Sequence, residues 1–387
     1  MKINGFFLFL VVFLVTMVLA SVFYPLRYIK YMLPLIPLSI YFRTRALSVD
    51  KNIFWYYYSF ILFYGLTILY LLIQALFLTD LSGRFFPNAV FILSPLLFLA
   101  FILPYFNADK TRQYVRAILF INIGIFFYEE GFDFLSVITD LDVLKNGIIS
   151  SEFPTENNLA YLFGFLVIYF FIEKYPRWYQ ILAFIFFVLC FKRIVIAAVM
   201  ISCAAYFTLS LFHIRVTRYR KLLTILGISV NLLFVKFTHL IVTGKFDAFV
   251  FEKTGFSTDR FMMGRKTFYT EAFEKAGTIN WMGSGLGQID DIMYNFYGIP
   301  VNLHSEVLKN YFEFGIVIFV AWLFIVFYKN LFSNKAAVVL LYFNILILTD
   351  NVFIYFEIMF YFYFFILIFL HQKHDPLKNL ENESIHS

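Results

Sequence analysis

The residues of this chain that can do chemistry are few, and most fall in one polar stretch, residues 254–315. It reads TGFSTDRFMMGRKTFYTEAFEKAGTINWMGSGLGQIDDIMYNFYGIPVNLHSEVLKNYFEFG. His304 is of the type that takes or gives a proton near neutral pH. With Asn302 as N-cap, it stands near the first turn of a predicted helix, where free amides attract anions. Glu306, Lys309, Asn310 and Glu313 follow at spacings that put four polar groups on one helix face. Such a stripe in an apolar helix must meet protein or a wet cavity rather than lipid. Glu306 is therefore either a base or, like Glu313, a structural partner of Lys309. Arg260 and Arg265 carry planar forks suited to phosphate. Gly264 lets their loop converge, and plain solvation is the alternative. Lys192 and Arg193 stand in VLCFKRIVIAAVM with almost no loop around them. In so tight a turn they either meet an anion at the membrane interface or snorkel to lipid phosphate. The glycines of GSGLG follow no predicted strand, so they read as a tight turn rather than a nucleotide fingerprint.

The elements that must hold these residues are set by composition. Apolar residues make up 61% of the chain and charged ones 14%, with 56 phenylalanines; soluble domains carry about 25% charged residues. Continuous apolar runs long enough to cross a bilayer imply helices, because lipid satisfies no backbone group. The expected fold is all-α, a polytopic integral membrane protein with about 12 transmembrane helices and one long external loop. The runs are 3–23, 29–42, 53–76, 89–105, 115–128, 159–172, 179–191, 194–212, 222–241, 303–328, 336–348 and 352–370. Residues 1–243 thus hold nine spans, 244–302 the external loop, 303–371 three more spans and 372–387 a polar cytoplasmic tail. The first run exceeds a signal-peptide core and is expected to stay uncleaved. Pro34 and Pro37 are expected to kink the second.

Lysine and arginine sort onto alternate loops, at 43–51, 110–116, 174–177, 215–221 and 329–335. By the positive-inside rule those loops and both termini are cytoplasmic, and the long basic loop is exempt by its length. A second outer segment, 129–158, is acidic. The net charge of +6 is spread over many loops, which excludes a nucleic-acid partner. Cys190 and Cys203 lie inside apolar runs and no zinc-type spacing occurs, so no metal or cofactor is expected.

Together the span layout, ENNLAYLFGF opening the sixth span, FKRIVIAAV, TDRFMMGR, and GSGLG followed by LHSEVLKNYFEFG resemble the O-antigen polymerase and O-antigen ligase superfamily. The resemblance is specific over 260–315 and weaker elsewhere. It implies a metal-independent glycosyltransferase of the bacterial inner membrane using undecaprenyl-pyrophosphate-linked glycans as donor and acceptor. Its further partners would be the bilayer and a flippase and chain-length regulator of the same pathway. By position, Arg193, assisted by Lys192, matches the family's outer-face arginine, and Arg260 or Arg265 its loop arginine, all holding pyrophosphate. His304, with Glu306 as the other candidate base, matches the histidine that activates the acceptor hydroxyl. Many members have His-Asn where this chain has His304-Ser305, which favours a polymerase of O-antigen, capsule or exopolysaccharide over a ligase or a protein O-oligosaccharyltransferase. A glycolipid flippase is the reading from another class, and it is disfavoured because no internal repeat is visible.

Overall fold

The computed structural model describes residues 5–37, 50–77, 80–131, 158–190, 192–262, 264–277 and 281–374. Among them the regular structure is helical, with no strand. In chain order the helices are α1 (Gly5–Val22), α2 (Lys51–Phe77), α3 (Phe85–Ile102), α4 (Thr111–Glu130), α5 (Leu159–Ile172), α6 (Arg177–Leu189), α7 (Arg193–Leu211) and α8 (Arg220–Val242). Four short helices follow, α9 (Asp247–Thr254), α10 (Thr258–Phe261), α11 (Arg265–Ala276) and α12 (Gln288–Tyr297), and then α13 (Glu306–Asn330), α14 (Asn334–Thr349) and α15 (Phe356–His374).

Among the described residues, five helices are long and apolar enough to cross a membrane: α2, α3 with its 3-10 extension, α7, α8 with the turn before it, and α13. Shorter apolar helices include α1, α5, α6, α14 and α15. An all-helical protein built from membrane-length apolar helices is thus what the composition implied. The expected second span differs where it is described, because Tyr24–Met32 forms a 3-10 helix with proline in its first turn. Pro34 falls in the turn after it, as expected of a residue that lacks the N–H a continuous helix needs. Residues 38–42 of that span, most of the acidic 129–158 segment and most of the tail lie outside the described residues.

α15 is apolar on every side, as a helix enclosed by others must be. Residues 359–369 are all at most 2% exposed, and α15 packs on α3, α5 and α14. On the outside, α2, α7 and α8 turn Leu66, Leu76, Met200, Phe207, Leu222 and Leu233 outward, an apolar belt that fits lipid rather than water. Polar side chains also link the helices inside the bundle. Asn231 donates to Asn344 at 3.0 Å, and Trp322 donates to the Tyr64 hydroxyl at 2.9 Å.

The connections sort onto two ends of the bundle. At one end Lys30 pairs with Glu357, Asn88 donates to Asp290, Gln288 donates to the Asp80 carbonyl and Arg265 to the Thr349 carbonyl. At the other, Lys335 pairs with Glu173, Arg220 donates to the Tyr328 carbonyl and Asn334 to the Ile214 carbonyl. These are the two sets of loops that charge sorting separates. The 244–302 loop is folded onto the first end. Tyr269 and Phe273 of α11 and Ile289 and Met293 of α12 are buried, and the Phe273 ring meets Phe312 of α13 at 4.8 Å.

α13 is broken where this loop enters. Gly315 has φ 75° and ψ 162°, a conformation essentially confined to glycine. The break frees carbonyls that the GSGLG segment takes up: the Ser284 amide donates to Phe312 O at 2.8 Å and the Gly285 amide to Glu313 O at 3.2 Å. Gly283 and Gly315 lie back to back, each with its neighbours' backbone where a Cβ would stand. The glycines expected only to make a turn thus also repair a helix break, as apolar surroundings require.

Candidate functional site

The site is built on the bend between α14 and α15. α14 ends at Thr349, Asp350 follows in extended backbone, and Asn351 leads into a 3-10 turn, Val352–Ile354. The Asp350 carboxylate receives the Asn351 amide at 2.8 Å and the Tyr161 hydroxyl of α5. Lys192, just ahead of α7, places its Nζ 3.6 Å from Asp350 Oδ2. The same ammonium donates to Asn158 Oδ1 at 3.0 Å and lies 4.5 Å above the Tyr161 ring. His304 Nδ1 stands 3.8 Å from Asp350 Oδ1, an ion-pair distance rather than a hydrogen bond. Burial opposes the Asp350 charge, yet His304, Lys192, Tyr161 and the Asn351 amide together hold its carboxyl well below the usual carboxylate range.

The chain around His304 is pinned from three sides. Ser305 is the true N-cap of α13, its hydroxyl accepting from the Leu308 amide; the sequence pointed to Asn302, and the helix begins three residues later than that cap implies. The Ser305 amide donates to Asn351 Oδ1 at 2.8 Å and the Glu306 amide to the Asp350 carbonyl at 3.0 Å. Amides that a helix start leaves free are thereby spent on holding the bend. The Tyr269 hydroxyl donates to the His304 carbonyl at 3.4 Å. Burial, offset by Arg265, pushes that phenol up to about 12. Between these anchors His304 takes φ 58°, a left-handed conformation uncommon for a side-chain-bearing residue. The result aims one edge of the imidazole at Asp350 while its side chain stays 37% exposed.

Other residues singled out in the sequence divide. Arg265 opens α11 and its Nη1 donates to the Thr349 carbonyl at 3.1 Å, so a second cation touches the same bend. Arg193, the first residue of α7, is exposed beside Lys192, whose ammonium pairs with Asp350. Arg260 sits exposed on α10, 4.7 Å above the Phe256 ring, and no described contact ties it to the bend. Glu306 is 2% exposed, and its carboxylate accepts the Phe353 amide at 3.1 Å, which gives it a structural task away from the imidazole. The polar stripe of α13 does face protein, but Lys309 pairs at 2.8 Å with Asp290 of α12 rather than with its own helix's glutamates.

Sequence reading missed Asp350, Asn351 and Tyr161. The available signal was the polar triplet Thr349-Asp350-Asn351 between two apolar runs, where an ionisable residue is by default a functional candidate. No family model matches this chain, and no curated protein or solved structure matches it significantly.

Proposed function

We propose that this chain is a membrane glycosyltransferase that polymerises polyprenyl-pyrophosphate-linked repeat units into O-antigen, capsular polysaccharide or exopolysaccharide at the outer face of a bacterial cytoplasmic membrane. The observation that carries this reading is the His304–Asp350 pair, a partly exposed imidazole against a buried carboxylate, with Lys192 and Arg265 fastened to the same bend. A histidine beside a carboxylate and partly open to solvent is suited to general-base work. Two cations beside it suit a leaving group on which negative charge grows.

In this mechanism an acceptor sugar hydroxyl gives its proton to the exposed edge of His304 as its oxygen attacks the donor's anomeric carbon. The bond from that carbon to the pyrophosphate oxygen breaks, and the electron pair leaves with the pyrophosphate. Lys192 and Arg265 offset that charge; an arginine has five donors, so the bonds to the Thr349 carbonyl and to the Tyr269 hydroxyl leave Arg265 donors for phosphate. Arg193, exposed beside Lys192, serves as a further contact for the lipid pyrophosphate. Asp350 is a positioning residue that acts through the imidazole.

Deleting the gene and separating the surface glycans on a gel tests the reading. Glycans one repeat long support a polymerase. A surface acceptor bearing no glycan points instead to a ligase of the same chemistry, and material trapped on the cytoplasmic side to a flippase.

A further inference from the structure

Beside the His304 cluster lies a cavity of about 340 Å³, within the ~300–1,000 Å³ range of small-ligand sites. Its walls come from segments far apart in sequence: Tyr28 of the 3-10 helix, Arg84 and Asn88 at the start of α3, Tyr294 of α12, Asn302 of the strap before His304, and Tyr355. Tyr28 and Tyr294 are about half exposed, at 51% and 50%. Tyr294 stacks on no ring among the described residues, and Arg84, also exposed, has no carboxylate partner among them. The back of the cavity is rigid. Lys30 pairs with Glu357 at 2.8 Å, the Tyr31 hydroxyl binds the Ile354 carbonyl, and Asn88 donates to Asp290 at 2.7 Å.

We infer that this cavity is a sugar-binding subsite, which holds the glycan unit next to the one reacting at His304. The inference rests on the glycan-transfer reading. A flat aromatic ring covers the C–H face of a pyranose, while amide and guanidinium groups at its edge take hydroxyls or a carboxylate. The chemistry of the lining distinguishes it from the greasy grooves elsewhere. One of about 410 Å³ between α7, α8 and α14 is walled by Leu209, Leu226, Val230 and Leu341 and suits an acyl or prenyl chain. The position fits as well. Asn302 lies two residues before His304, and the Tyr355 ring is 6.3 Å from that of Tyr161, whose hydroxyl meets Asp350.

The test needs no turnover. Full-length protein in detergent is mixed with methyl glycosides of hexoses, N-acetylhexosamines and hexuronic acids, and saturation-transfer NMR reports binding. At least one glycoside is expected to bind, weakened about tenfold, or ~1.4 kcal/mol, by Tyr294→Ala and by Arg84→Ala. Tyr294→Phe and His304→Ala are expected to leave its binding within about twofold. The Tyr294 and Arg84 side chains are exposed, so their variants are expected to keep the fold. No binding by the wild type, or binding insensitive to Tyr294→Ala and Arg84→Ala, overturns the subsite. Neither result bears on proton transfer by His304, which chain growth tests separately.

Discussion

At the scale of single residues the account turns on His304 and the carboxylate behind it. Loss of a general base costs about 10²–10⁴-fold in rate, so His304→Ala should lower chain extension by that factor while the protein still inserts. Asp350→Asn keeps the shape and removes the charge. It should lower the maximal rate with little change in donor KM, since Asp350 acts through the imidazole rather than on the donor. Steady-state kinetics with varied donor separates the two effects. Asp350 also predicts a pH dependence of stability. Its folded carboxyl lies below the usual range, so its contribution is complete above the unfolded pKa of about 3.9 and fades as pH falls through the lower folded value. Thermal unfolding should therefore show a wild-type advantage over Asp350→Asn that shrinks as pH falls below about 4. His304, Lys192 and Arg265 were legible in the sequence because ionisable residues are conspicuous in an apolar chain. Asp350 was equally conspicuous, but its role is a tertiary fact: it becomes a site residue only because α5, α7 and the strap before α13 deliver Tyr161, Lys192 and His304 to it.

At the scale of elements the broken helix α13 positions everything. Its start is tied to the 350–351 bend and its break is filled by the 283–285 segment. Gly315→Ala and Gly283→Ala each force a side chain into facing backbone at positive φ. Each should destabilise the protein by about 1–3 kcal/mol or more, and the double variant should cost less than the sum because the two glycines share one contact. Unfolding midpoints in detergent measure both. Lys309→Met removes the counter-charge of Asp290 beside Glu306 and Glu313, all on buried or half-buried positions. Breaking such a pair typically costs ~3–5 kcal/mol, and restoring apolar balance with Asp290→Leu in the same chain should recover part of it. Helix identity was readable from apolar runs of period-free hydrophobicity, which lipid-exposed and core helices share. The 3-10 helix over Tyr24–Met32 and the partner of Lys309 were not, since run length does not encode local proline geometry or which loop docks where.

At the scale of the molecule, the loops that charge sorting assigns to opposite sides gather at opposite ends of the bundle, and the 244–302 segment caps the end bearing His304. If that end faces outward, a cysteine placed beside Gly287 should react with a membrane-impermeant maleimide in intact cells, and one beside Asn334 should react only after permeabilisation. The chemistry itself is tested most directly with purified protein in liposomes, given polyprenyl-pyrophosphate-linked repeat units and no nucleotide sugar. The wild type should build a ladder of lipid-linked chains that His304→Ala and Asp350→Asn leave at a single repeat. A wild type that builds no ladder, or a His304→Ala protein that builds the wild-type one, contradicts the account.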